Sequence, residues 1–153
     1  MKLTSPIFEN NEKIPRKYTC DGENINPPLT ISNIPGNTKS LVLIMDDPDV
    51  PAQVRPEQIW DHWIVFNIPP ETLEIKENSN PGIKGKGSYS HLNYGGPCPP
   101  SQYEPKEHRY FFKLYALDIT LNLKEGATKK EIEDAMKEHI IEETELVGRY
   151  QRI

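Results

Sequence analysis

Leu41–Pro51 reads LVLIMDDPDVP, five apolar residues running straight into three carboxylates and two prolines. With Ser40 before it, the run SLVLIMD over 40–46 is bounded by the turn signal PGNT upstream and DPD downstream. An unbroken apolar run of strand length between turn signals predicts a buried strand. The carboxylates at its exit pose the functional question, since they suit metal binding, acid/base chemistry or the shaping of a site for something else.

Working outward, a proline-punctuated loop, Pro48 to Gln58, leads to IWDHWIVFNI over 59–68, whose aromatic and β-branched content predicts a second strand. A period of two puts Trp60, His62, Ile64 and Phe66 on one face and Asp61, Trp63, Val65 and Asn67 on the other. Residues 77–108 then lack apolar periodicity, and loops of such length are usually functional or disordered. HRYFFKLYALDI over 108–119 predicts the strongest strand, with His108, Tyr110, Phe112 and Leu114 on one face. Thr128 and Glu131 form a capping box ahead of Ile132, Ala135, Met136, His139 and Ile140 at helical spacing, which predicts a helix over 128–141. ELVGRYQRI, 145–153, predicts a short last extended segment. These elements make a mainly β chain with one or two helices, a single domain over 1–153, arranged most economically as a two-layer antiparallel sandwich.

Composition agrees. Fifteen prolines in 153 residues are about twice the roughly 5% of average usage, and proline favours short strands and stiff connections over long helices. A net charge of -5 and a pI near 5.4 argue against a nucleic-acid backbone as partner. The N-terminus lacks an apolar core of signal-peptide length, and no window approaches the ~20 apolar residues of a membrane span, so a soluble cytoplasmic protein is expected. Cys20 and Cys98 lie far apart with no CxxC spacing, which excludes a zinc knuckle or a thioredoxin-type dithiol. Free thiols are the expectation, one long-range disulfide the alternative.

Three polar clusters fall at strand ends: DDPDVP, the WDHW of residues 60–63, and GGPCPP (95–100) followed by HRY. Strand ends converging on one rim build pockets, and proline fixes their walls at low entropic cost. DPDVP, the W-x-H of Trp60 and His62, GGPCPP and HRYFFKLYALD together closely resemble the phosphatidylethanolamine-binding protein family, also called the Raf kinase inhibitor protein family. The likeness extends to YTCDGENINPPL, IPGNTKSLVLIMDDPD and the closing ELVGRY, and so to nearly the whole chain, in the manner of the compact bacterial and archaeal branch. It implies two antiparallel sheets with a Greek-key core and a small edge pocket that takes phosphate, acetate or phosphoryl head groups. Carried over, the pocket comprises Asp47, Pro48, Asp49 and Pro51, then Trp60 and His62, then Gly96, Pro99, Pro100, His108 and Tyr110. Cys98 departs from the Gly that many eukaryotic members have before the two prolines, and it is counted among the pocket residues because it takes up space near the floor. The chain also has no helix after ELVGRY, so partner contacts that eukaryotic members make there do not transfer.

Each cluster has a plainer reading. Asp beside Pro commonly caps a turn, and Pro48 and Pro51 obstruct the wrapping that a calcium loop needs. A lone histidine is usually a satisfied rim residue, but two facing inward beside carboxylates are held in one tautomer and favoured in the protonated form, which suits an anion. The glycine pair allows close approach of backbone N–H groups to such an anion. Trp63 is assigned to core packing, Asp46 to structure on the opposite face, His91 to a loop and His139 to the helix. The expectation is therefore a non-enzymatic binding or regulatory protein for a small anionic or phosphoryl ligand, with no cofactor or metal. The resemblance adds a kinase or serine protease as partner and a homodimer. A hydrolase using a His/Asp dyad is the alternative, for which no G-x-S-x-G nucleophile elbow exists.

Overall fold

The computed structural model describes residues 1–153. Nine strands follow in chain order: β1 (Lys2–Thr4), β2 (Glu12–Lys13), β3 (Leu29–Ser32), β4 (Ser40–Asp47), β5 (Trp60–Ile68), β6 (Glu74–Ile75), β7 (Ile83–Lys84), β8 (Glu107–Leu117) and β9 (Ile140–Gln151). One helix, α1 (Lys129–Met136), lies between β8 and β9, and a 3-10 turn spans Arg16–Tyr18. The small sheet runs β1-β3-β6 and the large one β2-β9-β8-β4-β5-β7. Pairing is antiparallel throughout except for β2 on β9, a two-residue parallel contact at one side of the large sheet. No helix is long and apolar enough to cross a membrane.

The apolar run LVLIM lies in β4, a strand buried at every position. It is central in the large sheet, and both of its faces are covered. Leu41, Leu43 and Met45 join a core shared with Leu3, Leu29, Ile31 and Ile75 of the small sheet. Val42 and Ile44 face the other way, into a second core closed by Ile132 and Met136 of α1. A strand with both faces covered has no wet side to alternate toward, hence the unbroken run.

Three expectations are corrected. The helix starts as read, with Thr128 Oγ1 accepting from the Glu131 N–H at 3.1 Å, but it stops at Met136 rather than 141. His139 turns the chain instead, pairing with Asp118 at 2.8 Å, and Ile140 opens β9, which pairs with β8 along its whole length. The terminal segment read from 145 is therefore a twelve-residue strand, because its β-branched start fits a ladder as well as a helix face. Finally, Cys20 and Cys98 are not free thiols but form a disulfide across 78 residues. The Cys20 N–H donates to the Pro97 carbonyl at 3.1 Å, a loop-to-loop contact that linear spacing does not show.

Candidate functional site

The site is made by a break in regular pairing. Met45 pairs with Trp63, yet the next residue, Asp46, pairs with Asp61, so His62 is an extra residue on β5. Such a bulge locally re-aims side chains. Trp63 and Val65 face the core between the sheets, while Ile64 and Phe66 face α1. Strict alternation would send His62 with them, but its ring instead meets Tyr110 of the inter-sheet core edge-on at 5.3 Å. Asp61 turns to the helix side and meets Lys129 at 2.8 Å. The period-two assignment of these two residues is thus reversed. Asp46, buried on the helix side, pairs with Lys113 at 2.8 Å, the structural role expected of it.

Beside the bulge lies a cavity of about 250 Å³. Of the residues expected there, Asp47, Trp60, His62, Cys98, Pro99, Pro100 and His108 line it. Val50, Val54 and Tyr89 line it too and were not foreseen. Tyr89 comes from a loop without periodicity, where the one signal in the sequence is an aromatic residue shortly before the glycine pair. Its ring lies on Gly95, where a Cβ would come within 2.2 Å of it. His91, read as an ordinary loop residue, stacks on Tyr89 at 4.8 Å.

The remaining expected residues act behind the wall. Asp49 faces outward and grips Arg109, accepting from its backbone N–H at 2.9 Å and its guanidinium at 2.8 and 3.0 Å. Burial works against ionisation of Asp49, but Arg109 outweighs it and holds the carboxyl below the usual carboxylate range. The Pro51 carbonyl accepts from the N–H groups of Val54 and Arg55, forming the turn that carries Val54 to the cavity. Pro48 begins that loop without lining the cavity. Gly96 does not offer its N–H to an anion, because Asn24 Oδ1 accepts it at 2.7 Å. Glycine is needed there for close packing, since a Cβ would come within 2.3 Å of the Tyr18 carbonyl oxygen. Tyr110 underlies both histidines, with ring centroids 5.3 Å from His62 and 6.4 Å from His108.

The two histidines are not equivalent. His108 Nδ1 lies 2.7 Å from Asp47 Oδ2, both groups buried. A carboxylate there fixes the Nδ1–H tautomer and leaves Nε2 free. His62 was expected to have a carboxylate too, but its Nδ1 lies 2.7 Å from the Gly95 carbonyl, which can only accept. Nδ1 therefore donates, and Nε2 carries a lone pair. Burial pushes the His62 imidazole below the usual histidine range, so this ring is neutral near pH 7 rather than cationic.

Buried polar atoms without a partner are rare in folded proteins. Trp60 Nε1 and His108 Nε2, on residues that line the cavity, and Tyr110 Oη behind them have none here. The Arg55 guanidinium lies 5.1 Å from the centre of the Trp60 ring, and its Nε is 3.5 Å from a Glu57 carboxylate oxygen. Burial raises the Tyr110 phenol far above its ordinary range, so its hydroxyl is a donor and not a nucleophile. No group of three or more His, Cys, Asp or Glu side chains is placed to hold a metal ion.

Comparison with known proteins gives the same outline. A family profile described as phosphatidylethanolamine-binding protein matches residues 4–151. The UPF0098 protein of Methanothermobacter thermautotrophicus is 45% identical over 159 residues, covering 99% of both chains. The UPF0098 protein PH1269 of Pyrococcus horikoshii is 49% identical, covering 97% of this chain and 75% of its own length. A crystallised phosphatidylethanolamine-binding protein homolog from Chlamydia trachomatis superposes with a TM-score of 0.93 at 43% identity, covering 99% of this chain and 97% of that one. YbcL of E. coli, described as a new member of the mammalian family, gives a TM-score of 0.86 at 25% identity over 99% and 98% of the two chains.

Proposed function

The chain belongs to the phosphatidylethanolamine-binding protein family, and on that premise we propose that it is a non-enzymatic binding protein holding a small oxyanion or phosphoryl group in this cavity, beside His108 and Trp60, with the neutral His62 forming part of the wall. The observation that carries this reading is that Trp60 Nε1 and His108 Nε2, on two residues lining one cavity, are buried without a hydrogen-bond partner, with Tyr110 Oη in the same state behind them. Trp60 Nε1 and Tyr110 Oη are donors, and Asp47 fixes the His108 ring so that its Nε2 is left for a ligand. An acceptor-rich group of negative charge suits such donors. At about 250 Å³ the cavity falls below the roughly 300–1,000 Å³ of drug-sized sites, which favours a head group over a larger molecule. Regulation of a kinase or a serine protease, in a cytoplasmic setting, is the wider form of the same proposal.

Titration calorimetry with inorganic phosphate and with phosphoethanolamine tests it. Micromolar to millimolar binding is expected. His108→Ala should weaken it by roughly tenfold or more, the worth of one hydrogen bond to a charged group. No heat with either ligand, or an unchanged affinity in both His62→Ala and His108→Ala, defeats the reading.

The Asp47–His108 pair also has the geometry of a base with its orienting carboxylate, which keeps a hydrolase in view. Its nucleophile would have to be water, since Cys98 is bonded and the phenols are held protonated by burial. Turnover of nitrophenyl phosphate or acetate that disappears in Asp47→Asn would support it.

A further inference from the structure

One residue of the cavity lining carries chemistry that anion binding does not use. Cys98 lines the cavity beside Pro99 and Pro100, and its sulfur is bonded to Cys20. Cys98 is an exposed residue between buried Pro97 and Pro99 and also lines the cavity, while Cys20 is half-buried. The loops that it joins are held together without it. The Cys20 N–H donates to the Pro97 carbonyl at 3.1 Å, the Gly96 N–H to Asn24 Oδ1 at 2.7 Å, and the Tyr94 hydroxyl to the Tyr18 carbonyl at 2.7 Å. Breaking the bond therefore leaves the loops docked and changes chiefly what the Cys98 side chain is free to do.

We propose that Cys20–Cys98 is a reversible thiol-exchange site that sets the affinity of the adjacent pocket, with a dithiol as reductant; this rests on the anion-pocket reading above. A thiolate of the dithiol attacks the Sγ of Cys98, the more exposed residue of the two. The Cys20–Cys98 bond breaks, and its electron pair leaves on Cys20 Sγ, which takes up a proton. The second thiolate of the dithiol then attacks the mixed disulfide, closing its own disulfide and releasing Cys98 Sγ, which is protonated in turn. Two electrons and two protons have moved from dithiol to protein. Exposed disulfides are the labile and regulatory ones, and those of the cytosol are usually transient or redox-sensing.

In the oxidised protein the bond holds the Cys98 side chain toward Cys20, so one wall of the pocket is fixed before the ligand arrives. In the reduced protein Cys98 regains its rotamers, and a thiol turned inward takes up part of the cavity. Ordering that side chain again on binding is expected to weaken affinity by roughly two- to tenfold.

The test is a calorimetric titration of inorganic phosphate into oxidised protein and into protein reduced with dithiothreitol and desalted without air, with thiols counted before and after. Expected are no thiols before reduction, two after it, an unchanged near-ultraviolet circular dichroism spectrum and the weaker binding above. Cys20→Ser should bind like the reduced form and ignore dithiothreitol. Equal affinity in both redox forms overturns the inference while the pocket reading stands. Free thiols before reduction, loss of the circular dichroism signal on reduction, or tighter binding when reduced also overturn it. Absence of phosphate binding in either form removes the pocket reading and this inference with it.

Discussion

His62 and His108 border one cavity but answer to different partners, a backbone carbonyl and a carboxylate. The difference has a thermodynamic signature. Burial depresses the His62 pKa from its usual 6.5, so below that pH the unfolded chain takes up a proton that the native state refuses. Stability then falls as pH falls, because the unfolded state binds more protons. Asp49, held below the usual 3.8 by Arg109 despite its burial, contributes stability that is complete above that value and lost as pH drops through its native pKa. Urea midpoints measured from pH 8 to 3 should stay level to about 6.5, decline once, and decline again below about 4. His62→Gln should remove the first decline and spare the second. A first decline of the same size in that variant would show that another group is responsible. The role of Asp49 could not be read from its position, since DPD suits a turn and a pocket equally well. Alternation alone would put Asp47 and Asp49 on one face; they part because β4 ends at Asp47 and the chain turns there, with the Asp49 N–H donating to Asp47 Oδ1 at 2.8 Å.

At the scale of elements, one inserted residue makes the site. Without His62, β5 would alternate regularly from Trp63 to Asp61 to Trp60, with the flanking pairs Met45–Trp63 and Asp47–Trp60 intact. Deleting His62 should therefore leave the sheet in register and abolish phosphate binding, a combination that no ordinary core deletion gives. Cross-strand proton contacts by NMR would check the register, and a shifted β5 would refute this account of the bulge. The strands themselves were legible in the sequence because apolar runs and alternation are direct records of covered faces. The bulge was not, since an extra residue leaves the composition of a strand unchanged and reverses only the facing of its neighbours on one side. The helix was overrun for a related reason. His139 and Ile140 continue the helical spacing of Ile132 and Met136, and only pairing with β8 shows that Ile140 belongs to a strand.

For the whole molecule, the disulfide and the hydrogen bonds around it do different work. Closing a 78-residue loop restricts mainly the unfolded chain, a contribution of roughly 2–5 kcal/mol. Reduction should lower the free energy of unfolding by about that amount while the native loops keep their geometry. Denaturation followed with and without dithiothreitol measures the first, and amide exchange at Cys20 and Gly96 the second. A drop well below 1 kcal/mol would mean that the unfolded chain already keeps these loops together. Linear spacing concealed this link, because Cys20 and Cys98 become neighbours only once the loop before β3 meets the loop before β8.

The large sheet ends on both sides in strands of two residues, β2 and β7. The two-residue β2 covers the outer side of β9 only at Gly148 and Arg149, so the rest of that twelve-residue strand keeps an edge without a strand partner, the kind of edge to which an extended segment can add. The cavity takes its strand residues from the ends Asp47, Trp60 and His108 and the rest of its lining from the loops between them, so a small molecule reaches it without either sheet opening.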